Sequence, residues 1–397
     1  MKTTIISSVD KKGGAAIISW ILKKELKKIG YSSFSFVGDK ITQEDDVQVV
    51  KRNLFIRFIS KVFPTETLYR SDWILKNKEY RESDLVHCHN IHGSFFSLNT
   101  LYKISKEKPV VWTLHDEWSI TPHCAFTFEG ANMKNGFYQC PNKNIYPRIL
   151  WHNENFLMKQ KEKIYKNSKL NIVVPCLWLK NKVEKSILKN QNIKLIYYGI
   201  NTNLFLPKNK LECRKELQLP LDKKIIFFLA DGGKNNPFKG WKYTKDVIEK
   251  LKDDENILFI CAGNDDSQNI QHKNVVFLGK IDQEVLSMYY SACDLLLYSS
   301  IADNFPLIIL EAMSCGLPIV SFDTGGIREA LVHKINGYIA KYRDSEDLIT
   351  GIKYIFNLAE SEISEMSENS SVKIKREFNL EKMVNEYKKL YDELTKK

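Results

Sequence analysis

Short runs dense in β-branched and aromatic residues alternate along this chain with longer stretches whose apolar positions recur at helical spacing, and the alternation occurs twice. In the first half the strand-like runs are Thr3–Ser8, Ser33–Val37, Leu85–His89, Val110–Leu114, Ile172–Val174 and Ile193–Tyr198. In the second half they are Ile225–Leu229, Ile257–Ala262, Val275–Leu278, Leu295–Tyr298, Ile319–Phe322 and Gly337–Ala340. Helices are predicted over Ala15–Ile29, which Gly30 terminates, and over Lys242–Leu251, Glu284–Ala292, Leu307–Cys315 and Ser345–Phe356. Strands interleaved with helices in this way build βαβ units around parallel sheets. The turn-rich run Gly199–Pro207 predicts a hinge. The expected molecule is α/β, with one domain at 1–200, a second at 201–377, and a helical segment at 378–397 that crosses back to the first. The two open domains are expected to face each other across a cleft.

Composition narrows the class. With 397 residues, 43% of them apolar and 27% charged, the chain is an ordinary globular mixture, which excludes a disordered, collagen-like or disulfide-scaffold protein. The net charge of +11 is unevenly spread: residues 1–200 carry 32 Lys and Arg against 18 Asp and Glu, whereas 201–397 carry 27 against 30. A basic first half calls for an acidic partner, whether nucleic acid, an anionic membrane or a phosphorylated substrate. No run reaches the length of a membrane span, and the N-terminus enters charge at Asp10-Lys11-Lys12 without a signal-peptide core, so a cytoplasmic protein is expected. The eight cysteines are scattered without a C-x-x-C pair and read as reduced, mainly buried thiols.

The most informative stretch runs from Ser299 to Val320, through Asp303-Asn304-Phe305-Pro306, Leu310-Glu311-Ala312-Met313 and Cys315-Gly316-Leu317-Pro318. It reads as strand, loop, helix, glycine stop and strand. Asp303 falls in the loop at the carboxyl end of a strand, where open α/β sheets bind ligands and helix N-termini offer N–H groups to anions. Glu311 follows eight residues later on an otherwise apolar helix, and a buried carboxylate there needs hydrogen-bonding partners, which ribose hydroxyls could supply.

This stretch resembles the acidic-x7-Glu motif of the family-4 retaining glycosyltransferases, which have the GT-B fold of two Rossmann-like domains. The resemblance extends over nearly the whole chain: Gly13-Gly14 resembles the glycine loop, Asp84–His89 the second-site strand, Trp112–Asp116 the strand end carrying a catalytic histidine, Lys239-Gly240 the phosphate-binding pair, and Gly325–Glu329 the glycine turn after the donor helix. It implies a transferase that takes a sugar from a nucleotide-sugar donor, UDP- or GDP-linked, without a metal or other cofactor. Glu311 would clamp the ribose, Asp303 would reach the sugar hydroxyls, Lys239 would neutralise the diphosphate and His115 would contact the donor sugar near the reacting carbon. Gly13, Gly14, Asn304, Phe305 and Pro306 complete the implied donor site. Many members carry an Arg six residues before the phosphate-binding Lys; here Gly233 stands there and Lys234 is the neighbouring substitute.

His89, His92 and Asp116 lie near the same edge of the first domain and are expected to touch the acceptor, a saccharide or lipid-linked saccharide of cell-surface polysaccharide or lipopolysaccharide assembly. Neither His89 and His92 nor Cys124 and Cys140 complete a metal-ligand set. The segment Lys51–Pro64 predicts an amphipathic helix whose basic residues, Arg52, Arg57 and Lys61, could meet an anionic membrane surface, with Lys159, Lys161, Lys163 and Lys166 adding charge. The protein is therefore expected in the cytoplasm or peripherally on the inner face of the membrane. Two other classes compete. A Rossmann-type dinucleotide-dependent oxidoreductase lacks its G-x-G-x-x-G turn here, and a nucleic-acid binder lacks a recognisable module and leaves the acidic pair unexplained, so no nucleic-acid partner is expected.

Overall fold

The computed structural model describes residues 1–53, 56, 65–134, 136–151, 153–230, 236–263 and 272–396. The chain forms two compact units, Met1–Tyr197 with Met383–Lys397, and Tyr198–Lys382.

The first unit carries β1 (Lys2–Val9), β2 (Ser32–Asp39), β3 (Val47–Val49), β4 (Leu85–Cys88), β5 (Val110–Thr113), the two-residue strands β6 (Met133–Lys134) and β7 (Phe137–Tyr138), β8 (Asn171–Val174) and β9 (Asn192–Leu195). Seven of these form one parallel sheet in the order β3-β2-β1-β4-β5-β8-β9, while β6 and β7 pair as a separate antiparallel hairpin. The second unit repeats the theme with β10 (Lys224–Ala230), β11 (Ile257–Gly263), β12 (Val275–Phe277), β13 (Leu295–Tyr298), β14 (Ile319–Phe322) and β15 (Tyr338–Ala340), ordered β12-β11-β10-β13-β14-β15. Every residue of β4, β5, β13 and β14 is buried. That is why these strands read as mainly apolar runs without a period of two: helices cover both faces of a parallel sheet. In each sheet the strand order reverses beside the first strand of its unit, between β1 and β4 and between β10 and β13. A crevice opens at such a point outside the carboxyl ends of the strands.

All twelve predicted strands are present, most within one or two residues of their expected ends; the sixth stops at Leu195 instead of Tyr198. The strand β3 and the β6–β7 hairpin are too short to leave a periodic signal. The helices Leu98–Glu107, Glu154–Asn167, Leu177–Val183, Lys210–Glu216 and Glu360–Glu377 were not anticipated. The last of these buries only Met366, Ser370 and Ile374, a stripe too thin to stand out among its charges. The C-terminal helix, Leu380–Thr395, buries Met383, Val384, Tyr387, Leu390 and Tyr391 at helical spacing. From Met383 onward it belongs to the first unit, where Asp392 accepts a 2.5 Å bond from Tyr31 and Glu393 pairs with Lys194.

Most of the predicted amphipathic helix at 51–64, including Arg57 and Lys61, lies outside the described residues, as does Lys234. Arg52 is described: its guanidinium forks onto the Asp39 carboxylate at 2.5 and 2.9 Å. Lys161 is removed from the expected basic surface. It is fully buried, its Nζ donating to the carbonyls of Trp118 at 2.6 Å and Thr121 at 3.0 Å, because its position on the helix Glu154–Asn167 faces the core. Among the described residues no helix is long and apolar enough to cross a membrane.

Candidate active site

In the second unit the residues singled out from the sequence gather where the strand order reverses. Lys239 follows β10 and Asp303 follows β13. The Lys239 Nζ donates to Asp303 Oδ2 at 2.8 Å, the Tyr298 hydroxyl donates to the same oxygen at 2.7 Å, and Asp303 Oδ1 accepts from the Asn304 amide at 2.9 Å. The sequence separates the lysine from the carboxylate by role; the fold ties them together. Two glycines make the close packing feasible. Gly240, at φ 64°, begins the helix Trp241–Leu251, and a Cβ there would lie 1.8 Å from the Ser299 carbonyl oxygen. Gly325, at φ 58°, would place a Cβ 2.0 Å from the Asp303 carbonyl oxygen. Both positions require a residue without a side chain, sterically and conformationally.

Pro306 caps the helix Leu307–Ser314, and the backbone carbonyl of Asn304 accepts from Gly326 at 2.7 Å, fixing the loop that leads into it. Phe305, expected in the donor site, lies in this loop. It is buried with its ring 6.1 Å from Tyr198 and 5.5 Å from Phe378, so its part is to anchor the loop. Glu311 is 9% exposed and accepts a 3.3 Å bond from the Tyr290 hydroxyl. Burial raises its carboxyl to about 7, with the Tyr290 hydrogen bond opposing only in part. A carboxylate held close to neutrality in this way is poised to gain from hydroxyl donors.

The first unit brings four histidines to the ends of β4 and β5. His89 Nδ1 lies 2.8 Å from His115 Nε2, their rings stacked at 5.1 Å and 18°. His87 is 4.1 Å from His89 ring to ring and is held by Tyr391 Oη at 2.5 Å and Thr113 Oγ1 at 2.7 Å; Thr113 in turn meets Tyr387 Oη at 2.8 Å. Burial holds all three imidazoles neutral, lowering His87 to about 3, His115 to about 4 and His89 well below its ordinary value. His92 Nε2 bonds Asp116 Oδ2 at 2.8 Å, and Asp116 Oδ1 also accepts from the Trp118 amide. His89, His92 and Asp116, expected as acceptor contacts, are each less than a tenth exposed and are satisfied largely by one another and by this unit. Gly13 and Gly14, in contrast, are exposed at the N-terminus of the helix Gly14–Lys28.

Several participants escaped the sequence. Tyr298 and Tyr290 deliver hydroxyls to the two key carboxylates. Of these, Tyr298 had a signal, since it ends the strand just before the motif, whereas nothing local marks Tyr290. Beside Asp39 and Arg52 a cavity of about 600 Å³ is lined also by Glu66, Tyr69, His123 and Tyr146. The Tyr146 hydroxyl stands 3.4 Å from His92 Nδ1, linking the cavity to the His92–Asp116 pair, and burial pushes the Glu66 carboxyl up. Among the described residues no group of three or more His, Cys, Asp or Glu side chains is arranged to hold a metal.

Two doubly wound parallel sheets of this kind make the GT-B fold of glycosyltransferases. Residues 12–204 match the family described as Glycosyltransferase Family 4 and residues 209–371 the family described as Glycosyl transferases group 1; between them they take in most of the chain, which belongs to this glycosyltransferase family. WcaC of Escherichia coli K12, named for colanic acid biosynthesis, is 24% identical over 346 residues, covering 81% of this chain and 82% of its own. Among solved structures, sucrose-phosphate synthase of Thermosynechococcus elongatus superposes with a TM-score of 0.73 at 17% identity, covering 99% of this chain and 98% of its own. HepE of Anabaena, solved with UDP-glucose, gives 0.71 at 17% identity over 99% of this chain and all of its own.

Proposed function

We propose that this glycosyltransferase is a retaining, metal-independent enzyme that moves a sugar from a UDP- or GDP-sugar to a saccharide or lipid-linked saccharide in surface polysaccharide or lipopolysaccharide assembly. The observation that carries the reading is the Lys239–Asp303 pair, with Glu311 buried on the helix that follows. Lys239 stabilises the negative charge that develops on the diphosphate as the bond from the sugar carbon to phosphate oxygen breaks. Asp303 accepts hydrogen bonds from sugar hydroxyls and Glu311 from the ribose. The electron pair of the broken bond leaves with the diphosphate, the acceptor hydroxyl oxygen bonds to the same face of the sugar carbon, and its proton passes to the departing phosphate oxygen. His115, kept neutral by burial, contacts the donor sugar as a dipole rather than a charge.

The acceptor reading draws support from the cavity beside Tyr146, where Glu66, Arg52 and two tyrosines offer the mixture of polar groups and aromatic faces that saccharides use. The name of WcaC supports a polysaccharide setting, and the UDP-glucose bound to HepE supports a nucleotide-sugar donor. Peripheral membrane binding draws support from Leu150 and Phe156, 44% and 56% exposed, close in sequence to the exposed Lys159, Lys163 and Lys166. The test is a panel of UDP- and GDP-sugars, read by thermal shift and donor turnover, with the anomeric configuration of the product assigned by NMR. Stabilisation and turnover by one nucleotide sugar with retained configuration are expected. Stabilisation by NAD(P) alone, or an inverted product, overturns the reading.

A further inference from the structure

His89, expected as an acceptor contact, is enclosed within its own unit. It is 1% exposed, its backbone carbonyl accepts from the Trp112 indole at 3.0 Å, and its backbone N–H donates to Ile6 at 2.8 Å, so the ring is fixed on the end of β4. From there Nδ1 meets His115 Nε2 at 2.8 Å, whereas Nε2 is buried without a hydrogen-bond partner. One proton must occupy the shared contact. Were it on His115 Nε2, the neutral His89 ring would carry its own proton on Nε2, and a buried N–H would have no acceptor. Were it on His89 Nδ1, the orphan atom would be only a lone pair. A buried N–H without an acceptor is the rarer and costlier arrangement.

We propose that His89 is a positioning residue for His115: it donates from Nδ1 to His115 Nε2, fixes His115 as the tautomer protonated on Nδ1, and thereby sets which ring edge His115 presents to the donor sugar. This rests on the reading of His115 given above. The chain of support continues inward. The His87 ring packs against His89 and is clamped by Tyr391 on the C-terminal helix and by Thr113, which Tyr387 of the same helix also holds. The last helix of the chain thus backs the imidazole pair, and the orientation of a histidine is set by the bond its other nitrogen makes.

The test uses two amides of different reach. The Asn side chain places a nitrogen near the position of histidine Nδ1, and that of Gln near Nε2. His89→Asn should keep kcat within about fivefold of the unmodified enzyme, and His89→Gln should lose about 10- to 100-fold in kcat with the donor KM little changed, a loss of the size seen when the outer hydrogen-bond partner of a metal-ligating histidine is removed. In the absence of any substrate, the imidazole ¹⁵N shifts of His115, assigned through His115→Asn, should report the Nδ1-protonated tautomer in the unsubstituted protein and in His89→Asn, and a mixture in His89→Gln. Equal losses in the two variants, rescue by Gln rather than Asn, or an Nε2-protonated His115 would overturn the proposal. The NMR arm needs no turnover, so a protein that transfers no sugar at all would refute the functional reading while the tautomer still decides the role of His89.

Discussion

At the residue scale the chemistry turns on how burial treats the Glu311 carboxyl. Glu311 is raised to about 7 from an ordinary value near 4.5, so the folded state binds a proton that the unfolded state releases between those values. The stability it contributes is complete below about pH 4.5 and is lost as pH rises through about 7, at most about 3 kcal/mol. Glu311→Gln, which cannot ionise, should therefore raise the unfolding midpoint at pH 8 and leave it little changed at pH 5, while abolishing transfer. Denaturation at the two pH values checks the first part, and a variant that is destabilised at pH 8 would contradict it. Donor hydroxyls favour the charged carboxylate, so donor binding near pH 6 should release a proton. Calorimetry in buffers of different ionisation enthalpy reads this directly. Lys239→Ala should lower kcat by about 10²- to 10³-fold, the effect of deleting one preorganised charge-stabilising group.

At the scale of elements, glycines and helix ends hold the site in place. Gly240 starts the helix Trp241–Leu251 in a left-handed conformation, against the Ser299 carbonyl oxygen. Gly240→Ala must displace backbone on both sides and should destabilise the second unit by about 3 kcal/mol or more, combining backbone strain with overpacking. Urea unfolding followed by the fluorescence of Trp241, which packs near Phe228, should show a lower midpoint; an unchanged midpoint would mean that the loop carrying Lys239 adapts freely. The legible part of this level was the run from Ser299 to Val320. There local pattern, loop chemistry and fold agree, and Asp303 and Glu311 lie where the sequence put them, in the loop after a strand and on the helix beyond it. Phe305 shows the limit. Its place in the motif implied the donor site, and nothing local marked the packing of its ring against Tyr198 and Phe378, where large aromatic side chains dominate burial energetics.

At the scale of the molecule the charge asymmetry acquires structure. The excess positive charge lies in the unit that also holds the Tyr146 cavity and the exposed Leu150 and Phe156. One expected contributor does not supply it to a partner, since Lys161 is sealed inside by two carbonyls, and Arg52 shares its charge with Asp39. Of the described residues expected at such a surface, Lys159, Lys163 and Lys166 of the helix Glu154–Asn167 are exposed. Phe156→Glu together with Lys163→Glu should reduce co-sedimentation with vesicles containing anionic lipid by about tenfold while leaving donor turnover in solution unchanged. Two positions are altered, one apolar and one basic, and each basic residue near such a surface is worth about 1 kcal/mol. Sedimentation that survives the pair would retire membrane docking through this helix.

The sequence by itself determined the two series of βαβ units, the class of fold, the strand ends beside which His89 and His115 stand and the loop that carries Asp303, because side-chain periodicity and turn chemistry are local properties that a strand or helix carries with it. Only the tertiary structure decided which of those residues meet. Lys239 and Asp303 are 64 positions apart, His89 and His115 are 26, and His87 and Tyr391 are 304. Their hydrogen bonds depend on strand order and register in the two sheets and on where the last helix packs. Those are fixed by the burial of whole faces, and no window along the chain records it.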